Sequence, residues 1–147
     1  MKQQLLDHCI QIAGAKVQDL QNELQASREA TVSESKSTAG DKHETGRAMM
    51  HLEQEKLHKQ LAEAQVLVEE LTRLDLSQPH SRIGLGSLIK TNKGTFFLAT
   101  GLGKVEWNGT PYFVVSTKAP IAAQFIGRSS GDKVTMNGTE YDIRSVE

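Results

Sequence analysis

The sequence predicts an α+β fold in three parts. Residues 1–75 form an N-terminal antiparallel α-helical coiled-coil hairpin, 76–82 a linker, and 83–147 a small antiparallel β domain with one short helix. Three observations predict this. Two stretches carry apolar residues at heptad spacing, a short polar stretch around Gly40 separates them, and beyond Pro79 the apolar period falls to near two.

The first arm is written in Leu6, Ile10, Ala13, Val17, Leu20 and Leu24, whose alternating steps of four and three mark a helix that packs on another helix. Apolar order lapses from Ser27 to Ser37. A second heptad frame then runs through Met50, Leu57, Leu61, Ala64, Val68 and Leu71, with Gln54 as its one polar member. Two frames of similar length joined by a polar break predict a helical hairpin. Arms of about 30 residues give a rod on the order of 45 Å. A homo-oligomeric coiled coil is the alternative, but one continuous helix has no need of the break at Gly40, so a monomer is expected.

Pro79 cannot continue a helix, and Asp75-Leu76-Ser77-Gln78-Pro79-His80-Ser81 reads as a linker. Strands are predicted over 86–91, 95–100, 112–116, 133–136 and 140–146. Thr91-Asn92-Lys93-Gly94, Trp107-Asn108-Gly109-Thr110 and Asn137-Gly138 read as turns, because Asn and Gly tolerate positive φ. The unalternating apolar run 119–126, with Pro120 at its start and Gly127 behind it, suits a short helix.

Composition excludes several function classes. Residues 1–74 hold nine Lys/Arg against twelve Asp/Glu, and 75–147 eight against six, so neither half is a strongly basic nucleic-acid binder. Cys9 is the single cysteine, which excludes an internal disulfide and a multi-cysteine zinc site, and its apolar neighbours suggest a buried small hydrophobe. No apolar run reaches the roughly 18 residues of a membrane span and no secretory leader pattern is present, so a cytoplasmic location is expected. His51 and His58 share a helix face but sit about two turns apart, too far for one metal. Gly84-Leu85-Gly86 and Gly101-Leu102-Gly103 lack the strand-to-helix context of a phosphate loop, and no serine has a nucleophile-elbow pattern. Phe96, Phe97, Trp107, Tyr112 and Phe113 suit a sheet core or a shallow pocket. A proline isomerase is the enzyme reading they prompt, yet aromatics make up only 5% and no apolar cradle is legible.

Asp41 and Glu44 are the pair that points to chemistry. Residues three apart on a helix share a face, and two carboxylates side by side suit a hard divalent cation. Asp and Glu are also favoured in any first helical turn, where they offset the dipole. His43, between them, is within reach of a bound ion or phosphate, or simply solvated.

A hairpin with two carboxylates at its break, a proline-containing linker and a small sheet domain resemble the Gre transcript-cleavage factors of bacterial RNA polymerase. Gly40-Asp41-x-x-Glu44 is similar to the family's tip motif. The C-terminal likeness rests on Ala119-Pro120-Ile121-Ala122, Gly131-Asp132-Lys133-Val134 and Tyr141-Asp142-Ile143-Arg144. The resemblance spans nearly the whole chain and is weak across 83–111. It implies a C-terminal domain of FK506-binding-protein-like fold that docks on RNA polymerase through Lys118, Ala119 and Pro120. It also implies a hairpin that enters the secondary channel of an elongation complex, beside its DNA and nascent RNA. Asp41 and Glu44 would act there in trans, sharing a transient Mg²⁺ of the polymerase centre, with no stably bound cofactor and no nuclease activity of the chain itself. Phosphodiester hydrolysis draws on one metal to activate water and another to stabilise the leaving oxygen, and extra carboxylates help hold a loosely bound ion. The chain departs from the pattern where Thr45-Gly46-Arg47-Ala48 replaces Asn-Ala-Glu-Tyr and where Lys118-Ala119 replaces an acidic or amide residue followed by Ser. Those departures raise an alternative: a channel-binding regulator that does not promote cleavage.

Overall fold

The structure, a computed structural model, describes residues 1–35 and 41–147, and the side chains of 1–32 and 45–147. Two long helices, α1 (Lys2–Ser35) and α2 (Asp41–Arg73), precede strands β1 (Leu88–Thr91), β2 (Gly94–Leu98), β3 (Gly103–Trp107) and β4 (Thr110–Val115). A short helix, α3 (Pro120–Phe125), and strands β5 (Lys133–Met136) and β6 (Thr139–Val146) complete the chain. It divides into two compact units, one of Met1–Gln11 with Leu67–Glu147, the other Ile12–Val66. The division cuts both long helices, so residues 2–11 and 67–73 fall in the sheet unit. Among the described residues, no helix is long and apolar enough to cross a membrane.

In the helical unit the heptad residues face inward. Ala13, Leu24, Leu57 and Ala64 are buried, while Val17, Leu20, Met50 and Leu61 are half-buried. The seam does not stop where apolar residues run out. It continues on α1 through half-buried Ser27 and Thr31, and on α2 through Gln54 and Gly46. Gln54 Nε2 donates to Thr31 Oγ1 at 2.8 Å, and that hydroxyl donates to the Ser27 carbonyl at 2.9 Å. Arg28 Nη2 lies 3.3 Å from His58 Nε2. Pairing 28 with 58 and 31 with 54 makes the arms antiparallel.

The polar layer satisfies itself inside a low-dielectric seam, so removing one member costs more than removing both. Thr31→Val is expected to lower the unfolding free energy by roughly 1 kcal/mol, leaving the Gln54 amide without its acceptor. Thr31→Val/Gln54→Leu is expected to restore or exceed the starting stability in urea denaturation.

The sheet unit is built on six strands in the order β3-β4-β2-β1-β6-β5. The expected all-antiparallel sheet is instead mixed, because β2 and β4 pair in parallel, Phe97 opposite Val114. β3, absent from the predicted strands, explains this. It forms a hairpin with β4, which then returns beside β2 in the same direction. Asn108 and Gly109 have φ of 52° and 76°, and Asn137 and Gly138 have 51° and 78°. Those are the positive-φ pairs that suit two-residue hairpin turns.

Alternation sorts the side chains onto two faces. Ile89, Phe96, Leu98, Val134 and Ile143 pack with Ala122 and Phe125 of α3, and Phe113, Ile121 and Tyr141 border this cluster. Leu88, Phe97 and Val114 lie on the opposite face and are also fully buried, as are Leu5 and Cys9 of the first helix end. Three hydrogen bonds tie the helix ends into this unit: Lys2 Nζ to the Gly86 carbonyl at 3.2 Å, His8 Nε2 to the Glu106 carbonyl at 3.1 Å, and the Thr100 hydroxyl to the Glu70 carboxylate.

Candidate functional site

The helix α2 starts at Asp41, so Asp41 and Glu44 are its first and fourth residues and share one face of its first turn. Residues 36–40 and the side chains of Asp41, His43 and Glu44 lie outside the described residues. The backbone therefore supplies the juxtaposition, and the residue types supply the chemistry: two oxygen donors on one turn, suited to part of a Mg²⁺ coordination shell and too few to fill it. Beyond them Thr45 and Arg47 are exposed, while Gly46 falls on the seam. No group of three or more His, Cys, Asp or Glu able to hold a metal occurs among the described residues.

Lys118, Ala119 and Pro120 form the connection between β4 and α3. The Lys118 amide donates to Ser116 Oγ at 3.1 Å and the Ala119 amide to the Ser116 carbonyl at 3.0 Å, which folds the chain sharply after β4. Ala119 is the N-cap of α3, with extended backbone (φ −65°, ψ 145°) set by the proline behind it, and it offers no side-chain cap. Lys118 and Pro120 are exposed, whereas Ala119 packs against the sheet core.

The aromatic residues divide between core and surface. Phe96 stacks on Phe113 and Phe125 at ring-centroid distances of 5.3 and 5.1 Å, and Tyr141 meets Phe96 and Phe125 edge-on. Half-buried Phe113 and Tyr141 line a cleft of about 370 Å³ with Phe96 and Ile121. Trp107 and Tyr112 pair elsewhere, 6.3 Å apart.

No protein-family model and no curated protein matches this chain. Solved structures that resemble it are of Gfh1. One, described as the transcription factor Gfh1, is 16% identical with a TM-score of 0.35, covering 90% of this chain and 93% of that one. GreA factor homolog 1 (Gfh1) of Thermus thermophilus is 13% identical with a TM-score of 0.36, covering 94% of each. Gfh1 of Thermus aquaticus is 18% identical with a TM-score of 0.32, covering 90% of this chain and 94% of that one.

Burial or hydrogen bonding shifts several other side chains, His80, Asp75 and Cys9 among them. His80 Nε2 is buried without a hydrogen-bond partner; burial first, then the nearby Lys2 ammonium, lowers its pKa against a hydrogen bond to the Arg82 backbone. The Ser77 hydroxyl and amide both donate to Asp75 and hold its carboxyl below the usual range. Cys9 is fully buried, and desolvation pushes its thiol up to about 11. Because the thiolate is the nucleophile, native protein at pH 8 is expected to react with a disulfide reagent on the order of 10²-fold more slowly than protein in urea. Absorbance of the released thiolate measures this, and equal rates would contradict the burial.

Proposed function

We propose that this chain is a Gre-like factor that binds RNA polymerase, inserts its helical hairpin into the secondary channel and stimulates cleavage of backtracked RNA. One observation carries the reading. The Asp-x-x-Glu pair opens the second of two antiparallel helices, at the break between them, in a chain whose C-terminal motifs resemble the same family. In this reading the sheet domain, FK506-binding-protein-like in fold, docks on the polymerase through the exposed Lys118 and Pro120, beside Ala119. A helical arm of about 30 residues carries a side chain on the order of 45 Å from its base. Asp41 and Glu44 would lend two carboxylates to a Mg²⁺ of the polymerase centre and help complete its shell. A Mg²⁺ held there supplies Lewis-acid stabilisation of charge developing on oxygen. The chain brings donors and no nuclease of its own.

Retention of core RNA polymerase by the immobilised full chain tests the docking step. Stoichiometric retention by the wild type, weakened about tenfold by Lys118→Glu, is the expected result, since a reversed rim charge meets like charge on a complementary partner. Failure to retain polymerase overturns the reading.

A second reading rests on Arg47, exposed and three residues beyond Glu44. A cation on that turn offsets the acid pair, which suits a channel-binding regulator that leaves transcripts uncut. Transcript length after addition of the protein separates the two.

A further inference from the structure

A cleft of about 310 Å³ lies within the sheet unit, between the end of α2, Leu85, Ala99 and the β4–α3 connection. That volume is at the small end of the range for ligand sites, about 300–1,000 Å³. Its wall carries three charges of mixed sign. The Glu70 carboxylate accepts a hydrogen bond from the Thr100 hydroxyl, and Thr100 is 1% exposed, so a buried donor fixes the acid in place. Arg73 and Lys118 also line the cleft, and neither forms an ion pair among the described residues. Ser116 Oγ accepts from the Lys118 amide and keeps its own proton to donate. Leu74 and Leu85 give the cleft an apolar side, and Leu85 is 53% exposed.

A plain anion placed here meets Glu70, and a plain cation meets Arg73 and Lys118. A molecule with one charge of each sign satisfies all three. We propose that this cleft binds a small zwitterion with an aliphatic group, of the α-amino-acid class. Its carboxylate would lie against Arg73 and Lys118, its ammonium on Glu70, and its side chain on Leu74 and Leu85. The site is independent of the polymerase reading, although Lys118 belongs to both.

Titration of the isotope-labelled full chain with L-leucine, leucinamide and 4-methylpentanoate, followed by amide chemical shifts, tests this. Leucine is expected to give saturable shifts at Leu85, Ser116, Thr117 and Lys118. Leucinamide, lacking the carboxylate, and 4-methylpentanoate, lacking the ammonium, are each expected to bind about tenfold more weakly or worse, the usual loss of a charge-assisted contact. Glu70→Gln keeps an acceptor for Thr100 and is expected to weaken leucine by a similar factor, as is Arg73→Gln. Absence of saturable shifts with leucine, or equal binding of 4-methylpentanoate, would overturn the proposal on the wild-type protein alone. So would a folded variant that binds leucine as the wild type does.

Discussion

Replacing Asp41 and Glu44 together by Ala is expected to slow transcript shortening in backtracked complexes on the order of 10²-fold, toward the polymerase's own rate. The size follows from preorganised charge: removing one group aimed at a developing oxyanion costs about 10²–10³ in rate, and in the proposed function Asp41 and Glu44 would act through a shared ion rather than directly. Polymerase retention should not change, because the residues proposed to dock, Lys118, Ala119 and Pro120, lie on the β4–α3 connection. Asp41→Asn/Glu44→Gln is the sharper variant. It keeps the size of both side chains and their place in the first turn of α2, and removes only the charge that binds a hard cation. Loss of helix is a small confounder, since an acid at a helix start contributes about 0.3–1 kcal/mol; circular dichroism monitors it. Equal cleavage by wild type and both double variants would take the tip out of the mechanism.

Phe125→Ala is expected to destabilise the sheet unit by about 3–5 kcal/mol, the usual cost of deleting a buried aromatic. Phe125 is fully buried, its ring lies 5.1 Å from that of Phe96 and 5.8 Å from that of Tyr141, and it anchors α3 over the sheet. α3 has six residues and no side-chain cap, so it has little stability apart from this packing. Because Lys118, Ala119 and Pro120 lead into α3, the same variant is expected to loosen the connection proposed to dock on the polymerase. Urea denaturation followed by near-ultraviolet circular dichroism reads the first effect and polymerase retention the second. A loss below about 1 kcal/mol would mean that α3 is held by something other than its core aromatic.

The parts of this molecule that were legible in the sequence are those where one residue type has one physical use. Heptad apolar residues located both arms, and the Asn-Gly pairs located two hairpin turns, because few other residues accept that backbone. Polar seam positions were illegible. Ser27, Thr31 and Gln54 look like a lapse in the pattern until the opposite arm supplies partners. β3 was missed because only Val105 and Trp107 turn inward, flanked by exposed Lys104 and Glu106. A period of two carries no strand direction, so the parallel β2–β4 pair was hidden as well. At the candidate site, the Asp41/Glu44 spacing was readable because α2 starts at Asp41. The meeting of Glu70 with Thr100 depends on tertiary packing that no local spacing encodes.

The most direct test is a gel assay of transcript length in stalled, backtracked elongation complexes supplied with Mg²⁺, with and without the protein. The account predicts accelerated release of short 3′ RNA fragments and renewed elongation from the trimmed ends. Transcripts that keep their length while the protein remains bound to the polymerase would contradict it.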